Sequence, residues 1–332
     1  MAWFLFHETH CAQSAALAKR CLTRHDVRVI PADRPSVRSS LSKRGLTGAI
    51  TALVLLALVV TVTVVQSATD PPPARSASRT LTVATWNMCG VRQWNCSRTG
   101  SPAAKSSALR QLVTADGARV LLLQEACSGD LEAARNGLGR SWHLAFQPYS
   151  SRDRAGRTTP VRCAGSSQGS AGFAVLSAYP LTSVRTVPSQ QPFAGLQRGI
   201  LCATVAIPDV RVCDAHLTVP GGDAAHPSWE YRDDQLKTLV SALPKQRTVF
   251  GGDFNVDPPG ARNPAAWVWP SAAYRTYREC DQASPSSRTA RATHTSGHKL
   301  DYLFTGLPRI VCTVRDTGTS DHRALLLKVR TG

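Results

Sequence analysis

The chain has 332 residues, of which 42% are hydrophobic, and it carries a formal net charge of +17 with a pI near 10.0. This composition excludes a chain that is disordered throughout, because it holds enough apolar residues for one large domain or two small ones. The basic excess favours anionic partners such as phosphodiesters, nucleic acid or acidic lipid.

The first feature along the chain is an uncharged apolar run over residues 48–65, preceded by Lys43 and Arg44. Its length lies between that of a signal-peptide core and a full bilayer span, so residues 47–67 are predicted to be either a cleaved signal peptide or a membrane anchor. The eight basic residues before this run keep the N-terminus in the cytoplasm under the positive-inside rule. Everything that follows is then extracytoplasmic.

The remaining boundaries follow from composition. Residues 1–46 are basic and show no helical or strand period, which predicts disorder, and residues 68–80 are rich in Pro and Ser, which is typical of a linker. A folded domain is predicted over residues 81–332. Beyond the apolar run there remain 31 basic and 19 acidic residues, so the exported part keeps a net charge of +12.

Cysteine usage also favours export. Of ten cysteines, eight follow the apolar run, at positions 89, 96, 127, 163, 202, 213, 280 and 312. An even number beyond an export segment predicts disulfides, and the absence of a CxxC spacing makes a zinc cluster the weaker interpretation. Cys202 and Cys213 flank Pro208-Asp209 on two apolar runs, so we predict that they pair across a hairpin.

From residue 81 onward, strand-like runs alternate with helix-like ones. Amphipathic or capped patterns predict helices over 103–117 and 226–243. Buried or alternating patterns predict strands over 81–86, 120–125, 172–180, 199–207, 210–217, 247–254, 300–304 and 324–329. So many strands with few long helices indicate one α/β domain with packed sheets.

Polar residues collect at the ends of six of these strands. Each one alone is more often a turn, capping or core residue, but together they predict a single cleft of carboxylates, amides and imidazoles. They are Asn87 in TWN, Glu125 in LLLQE, Asp214 and His216 in CDAHL, Asp253 and Asn255 in GGDFN, Asp301 in KLDYLF, and Asp321 and His322 in SDH.

The order of these motifs resembles that of a known family. TWN, QE, HL, GDFN, LDY and SDH, over about residues 81–329, are similar to the motifs of the endonuclease/exonuclease/phosphatase superfamily, which has the deoxyribonuclease-like fold. The resemblance implies a four-layer α/β/β/α sandwich. It also implies metal-dependent hydrolysis of phosphate esters, with Mg²⁺ as the expected cofactor and Mn²⁺ or Ca²⁺ as alternatives.

The same resemblance implies a metal site and a water site. Glu125 resembles the family's main metal-binding carboxylate, with Asn87 beside it. Asp321 is interpreted as a second-site metal ligand or a further polariser. Asp253 and Asn255 resemble the pair that positions the attacking water and a phosphate oxygen.

The catalytic and phosphate-binding groups are assigned in the same way. His322 resembles the catalytic histidine and Asp301 the carboxylate that orients it. His216 resembles a second histidine that contacts the scissile phosphate, and Arg198 in QRGI a phosphate-binding arginine. The resemblance does not assign the base and acid roles to individual histidines. The family's mid-domain tyrosine has no clear counterpart here, although Tyr149 lies nearby in the chain.

Three functions share this set of residues. The preferred one is a monomeric extracytoplasmic nuclease or phosphodiesterase acting on DNA or RNA, held at the membrane if residues 47–67 are not cleaved. The alternative is a phosphatase or a sphingomyelinase-like phospholipase C, for which Trp267 and Trp269 are the candidate lipid-facing residues. A surface binding domain with a decayed site is the third, and the intact motif set argues against it.

Overall fold

A computed structural model describes residues 80–94, 99–260 and 262–332. The predicted disordered region, the apolar segment 47–67 and residues 68–79 of the linker lie outside the described residues. The first strand begins at Thr80, one residue before the predicted start of the domain. No helix in the described part of the chain is long and apolar enough to cross a membrane.

The strands and helices of the described residues are as follows. The strands are β1 (Thr80–Asn87), β2 (Val120–Cys127), β3 (His143–Pro148), β4 (Ser150–Arg152), β5 (Thr158–Pro160), β6 (Ala171–Ser177), β7 (Leu181–Val187), β8 (Gly195–Gln197), β9 (Gly199–Val205), β10 (Val210–His216), β11 (Thr248–Asp253), β12 (Arg278–Glu279), β13 (Asp301–Thr305), β14 (Arg309–Arg315) and β15 (Ala324–Arg330). The α-helices are α1 (Pro102–Thr114), α2 (Ser128–Leu138), α3 (Arg232–Ser241) and α4 (Ser271–Thr276), with short 3₁₀ turns at Arg92–Trp94 and Ala266–Val268.

Two six-stranded sheets form the centre of the domain. The first has the order β14-β15-β1-β2-β6-β3 and the second the order β12-β13-β11-β10-β9-β7. A buried apolar cluster with members from both sheets fills the space between them. A second cluster packs α1 and α2 on the first sheet, and a third packs α3 and α4 on the second. The predicted four-layer α/β/β/α sandwich is confirmed.

Local sequence explains the elements that position the site. Strand β1 is almost fully buried because it lies inside the first sheet with apolar clusters on both faces. Helix α1 begins where the Ser101 hydroxyl accepts a hydrogen bond from the Ala104 N–H at 3.2 Å, with Pro102 in its first turn. A small additional sheet has the order β5-β4-β8.

The predicted helix over residues 226–243 is wrong at its start. Helix α3 begins at Arg232, and residues 226–231 form a loop. The Asp223 carboxylate accepts hydrogen bonds from the backbone N–H groups of Ala225 and His226 and from the Tyr231 hydroxyl. These bonds hold the segment in a non-helical conformation that the apolar pattern did not indicate.

The disulfide prediction is confirmed. Cys202 and Cys213 pair, and they lie directly opposite each other in the antiparallel register of β9 and β10, with their Cα atoms 4.1 Å apart. Two further disulfides are Cys127–Cys163 and Cys280–Cys312. Cys89 is disulfide-bonded as well, and Cys96 lies outside the described residues.

Candidate active site

The polar motifs meet at one edge of the two sheets. Strands β1 and β2 are parallel, as are β10 and β11, so their carboxyl ends lie at the same edge of each sheet. Asp301 is instead the first residue of β13, and His322 precedes β15; both of these strands are antiparallel to their neighbours. The starts of antiparallel strands reach the edge where parallel strands end, so these two residues also belong to the cleft.

His322 is held by a buried carboxylate. Its Nδ1 lies 2.9 Å from Asp301 Oδ2, and its Nε2 lies 3.9 Å from Asp253 Oδ2. The Trp86 indole N–H donates to the His322 carbonyl at 3.2 Å, which fixes the backbone of the SDH turn. Burial alone would lower the pKa of His322, but the charges of Asp301 and Asp253 raise it to about 10. The imidazole is therefore cationic at neutral pH.

Asp253 is the centre of the polar network. Its Oδ2 accepts a hydrogen bond from Asn87 Nδ2 at 3.1 Å and lies 3.6 Å from His216 Nε2, while its Oδ1 accepts from the Asn255 N–H at 3.0 Å. Burial raises the pKa of Asp253, although the cationic His322 opposes this effect. The Asn255 side-chain amide donates to the Leu217 carbonyl at 3.0 Å, so it ties two loops of the site together.

His216 is in the opposite electrostatic state to His322. Burial and the neighbouring Arg198 lower its pKa well below the usual range, so its imidazole is neutral. Arg198 Nε donates to His216 Nε2 at 3.2 Å, which leaves the ring proton on Nδ1. That N–H donates a hydrogen bond to the Tyr149 hydroxyl oxygen, 2.6 Å away.

Glu125 lies where β2 departs from regular geometry. The pairing of β2 with β6 shifts register between Leu123 and Ala126, and Glu125 has a φ of 49°. Its N–H donates to the Tyr149 hydroxyl at 3.2 Å, and its carbonyl accepts from the Gly90 N–H at 2.8 Å. A side chain at Gly90 would lie 2.7 Å from that carbonyl, so only glycine fits there. Burial raises the pKa of the Glu125 carboxyl group.

Asp321 lies at the more open side of the cleft. His294 Nε2 is 3.5 Å from Asp321 Oδ2, and its hydrogen bond lowers the pKa of Asp321 to about 2. The Ser320 hydroxyl donates to the Asn87 carbonyl at 2.8 Å, which joins the SDH turn to the end of β1. Lys105, buried on α1, donates to the carbonyls of Met88 and Thr319 and so holds the same two loops.

The structure thus brings all nine predicted site residues into one cleft. Among the described residues, two groups of carboxylate and imidazole atoms lie close enough to share a metal ion: Asp253, Asp301 and His322, and His294, Asp321 and His322. Glu125 and Asn87 belong to neither group. Their oxygen atoms, with those of Asp321, are the hard donors that suit Mg²⁺, which needs only one or two carboxylates alongside water and phosphate.

Three residues of the site were not predicted. Tyr149 directly follows β3 and hydrogen-bonds to both His216 and Glu125; the resemblance implied a mid-domain tyrosine near this position but did not assign it. His294 lies seven residues before Asp301, in a turn whose pairing with His322 only the structure shows. Lys105 shares the helical spacing of Ala108, Leu109 and Leu112, and that spacing places it on the buried face of α1.

Comparisons with known proteins give one family match and several similar folds. The sequence model described as the Endonuclease/Exonuclease/phosphatase family matches residues 84–322. Among solved structures, an endonuclease/exonuclease/phosphatase from Beutenbergia cavernae is similar at 21% identity and a TM-score of 0.57, over 76% of this chain and 72% of that one. The human Nocturnin catalytic domain with bound sulfate is similar at 15% identity and a TM-score of 0.54, over 75% of this chain and 94% of that one.

A third similar structure is ANGEL2, described as a 2′,3′-cyclic phosphatase, at 15% identity and a TM-score of 0.51, over 75% of this chain and 94% of that one. At these identities the structural matches show the fold alone. A search of curated proteins found no match.

Proposed function

Because the chain belongs to the endonuclease/exonuclease/phosphatase family, we propose that it is an extracytoplasmic, Mg²⁺-dependent hydrolase of phosphodiester bonds in DNA or RNA. Members of this family are metal-dependent phosphoric ester hydrolases. The observation that carries the proposal is the position of Asp253, whose Oδ2 lies within 4 Å of both His216 Nε2 and His322 Nε2.

These contacts support a division of roles. Asp253 accepts the proton of the attacking water, because its Oδ2 faces both imidazoles and its Oδ1 is held by the Asn255 N–H. His322, kept cationic by Asp301, stabilises the negative charge that develops on the phosphate oxygens and protonates the leaving oxygen. The guanidinium of Arg198 binds the non-bridging oxygens, and neutral His216 positions it by accepting a hydrogen bond from its Nε.

A different set of residues would hold the metal. Glu125, Asn87 and Asp321 would bind Mg²⁺, and Lys105 holds the segments that carry Asn87 and Asp321 through the carbonyls of Met88 and Thr319. When bound, the ion supplies Lewis-acid stabilisation of the phosphate charge. Asp321 is suited to this role because the pKa of about 2 leaves its carboxylate ionised throughout the neutral range.

Charge supports nucleic acid as the substrate. The part of the chain beyond the apolar run has a net charge of +12. A nucleic acid with many phosphates binds such a basic surface more tightly than a lipid headgroup with a single phosphate does. Of the two tryptophans that would favour a lipid substrate, Trp269 is buried against Phe254 and Tyr302, and only Trp267 is exposed. In the segment that carries these two tryptophans, the exposed aromatic surface is therefore reduced to one ring.

Disulfides support export. Three of them join cysteines of the described residues, and such bonds persist in oxidising compartments. We propose in addition that residues 47–67 direct this export, either as a cleaved signal peptide or as a membrane anchor.

A substrate panel tests the proposal. Purified protein is incubated with Mg²⁺ and, in separate reactions, with plasmid DNA, RNA, sphingomyelin and phosphoinositides. We expect cleavage of nucleic acid that a chelator abolishes. Turnover of a phospholipid without cleavage of either nucleic acid would contradict the proposal and support the phospholipase alternative.

A further inference from the structure

Three aromatic rings form an exposed cluster beside the cleft, which we call the aromatic platform: Phe193, His226 and Trp229. The rings of His226 and Trp229 stack at a centroid distance of 3.8 Å with planes only 8° apart, and Phe193 meets His226 edge-on at 5.5 Å. Phe193 is 48% exposed and Trp229 is 54% exposed. Large aromatic side chains are more often buried, so a stacked and exposed group calls for a partner.

The platform stands on two loops that border the catalytic groups. Phe193 belongs to the loop of residues 188–194, which leads through β8 to Arg198. His226 and Trp229 belong to residues 217–231, which begin directly after His216. At the far end of the second loop, the buried Arg232 side chain bonds to Glu230 and to the Asn255 carbonyl. Both ends of that loop are therefore fixed at the cleft.

Asp223 joins the two loops and makes them rigid. Its buried carboxylate accepts hydrogen bonds from the backbone N–H groups of Phe193, Ala225 and His226, at 2.7, 2.8 and 3.1 Å, and from the Tyr231 hydroxyl at 2.5 Å. The Ala224 N–H also donates to the Ala194 carbonyl at 2.8 Å. The rings are thus presented on an ordered frame, which lowers the entropic cost of binding.

Positive charge lies on the adjoining hairpin. Residues 150–162, which follow Tyr149, carry four arginines and one acid, and that acid, Asp153, is already paired with Arg157. The Arg154 guanidinium donates to the Ala224 carbonyl at 2.8 Å, so this basic hairpin contacts the loop that carries the platform. The remaining arginines of the hairpin are Arg152 and Arg162.

Flat rings next to arginines fit the bases and phosphates of a single strand. A membrane-binding surface would add exposed Leu, Ile or Val, and the two loops contain none that is largely exposed. We infer that the platform stacks bases of single-stranded nucleic acid while the basic hairpin binds its phosphates, so that the enzyme prefers unpaired strands. This inference rests on the proposed function and specifies its substrate.

Variants of Trp229 test the inference. Trp229→Leu keeps apolar bulk and removes the aromatic face, while Trp229→Phe keeps a ring and is the matched control. The substrates are a polythymidylate of about ten nucleotides and an abasic oligomer of the same length, which has the same phosphates and no bases. Thermal unfolding checks that both variants fold.

We expect Trp229→Leu to lower kcat/KM on polythymidylate about tenfold and to leave the abasic oligomer unchanged, while Trp229→Phe stays within about twofold of the parent on both. Phe193→Leu should behave like Trp229→Leu. Equal losses of kcat/KM on the two oligomers, or no loss on either, would overturn the inference that the platform stacks bases, while leaving the proposed function intact.

Two further outcomes would also overturn the inference. If the parent protein cleaves neither these oligomers nor the plasmid DNA and RNA of the substrate panel, the proposed function fails and the substrate preference fails with it. If Trp229→Leu leaves oligomer cleavage unchanged but weakens binding to vesicles of phosphatidylglycerol and phosphatidylcholine, the rings contact a membrane instead.

Discussion

At the scale of single residues, the site places two histidines on either side of one carboxylate and gives them opposite charge states. His322 is cationic because Asp301 and Asp253 outweigh its burial, whereas His216 is neutral because burial and Arg198 act in the same direction. Where the surroundings of two titratable groups push their pKa values apart, one group is suited to act as the acid and the other as the base. The sequence left these roles open because it shows neither burial nor neighbours.

The dyad of His322 and Asp301 carries the first prediction. Asp301→Asn keeps the shape of the side chain and removes the charge that makes His322 cationic, so the rate should fall about 10²–10⁴-fold, nearly as much as in His322→Ala. Because Asp301 acts through His322, the double variant should be no slower than His322→Ala alone. Steady-state rates of the three variants check this, and multiplicative losses in the double variant would contradict it.

The second prediction concerns the metal. Glu125→Gln removes a ligand charge and keeps the shape, so half-maximal activity should need about 10–100-fold more Mg²⁺ with the fold intact. Glu132→Gln is the control, since Glu132 lies exposed on α2, where it pairs with Arg135. The measurement is a Mg²⁺ titration of the initial rate. A titration curve of Glu125→Gln that superimposes on the parent's would place the metal elsewhere.

Eight of the nine predicted site residues were accessible from the sequence because each follows or precedes a strand whose apolar pattern is clear. Arg198 was assigned only through the family resemblance. Lys105 and His294 were not, because their roles depend on contacts across the fold: Lys105 reaches Thr319, far along the chain, and His294 pairs with His322. Tyr149 follows a strand that the sequence analysis did not predict. The periodicity of apolar residues predicts where strands end. It does not predict which side chains contact each other across the fold.

At the scale of elements, the two loops beside the cleft depend on one acid. Burial alone would raise the pKa of Asp223, but the Tyr231 hydroxyl and three backbone N–H groups hold it well below the usual range. The apolar pattern predicted a helix over part of this segment. The hydrogen bonds to Asp223 that prevent it come mainly from backbone N–H groups, which no residue pattern reveals.

The third prediction follows from that network. Asp223→Asn puts an amide where donors already converge, so the free energy of unfolding should fall by about 1–3 kcal/mol at pH 7. A depressed folded-state pKa stabilises the protein above the unfolded value of about 3.9, and this gain is lost as the pH falls through the folded value. The difference between variant and parent should therefore shrink below about pH 4. Denaturant unfolding of both proteins at pH 7 and at about pH 3 measures this. Equal differences in unfolding free energy between variant and parent at the two pH values would contradict the prediction.

At the scale of the whole molecule, the fold was predictable and its details were not. Buried apolar strands alternating with helices indicated packed sheets, and the motif order implied four layers, as observed. Strands β7 and β14 escaped prediction because each is the edge strand of its sheet and most of its residues are exposed, so its sequence shows no buried apolar pattern.

The fourth prediction uses the charge of the molecule. Binding of a single-stranded oligomer to the inactive His322→Ala protein should weaken steeply with salt, with log K falling by about 0.7 per log unit of salt for each phosphate contacted. Arg198→Ala should reduce that slope by about one contact. Fluorescence anisotropy between about 50 and 200 mM salt measures it. A flat response would indicate that phosphate contacts contribute little and would favour a lipid headgroup.

The central claim is that this cleft hydrolyses phosphodiesters by a metal- and histidine-assisted attack of water. Its most direct test is the initial rate of cleavage of a single-stranded oligonucleotide by the parent and by His322→Ala, each with Mg²⁺ and with a chelator. We predict cleavage by the parent that requires Mg²⁺ and a rate at least about 10²-fold lower in a folded His322→Ala protein. Cleavage that survives chelation, or a variant as fast as the parent, would contradict the account.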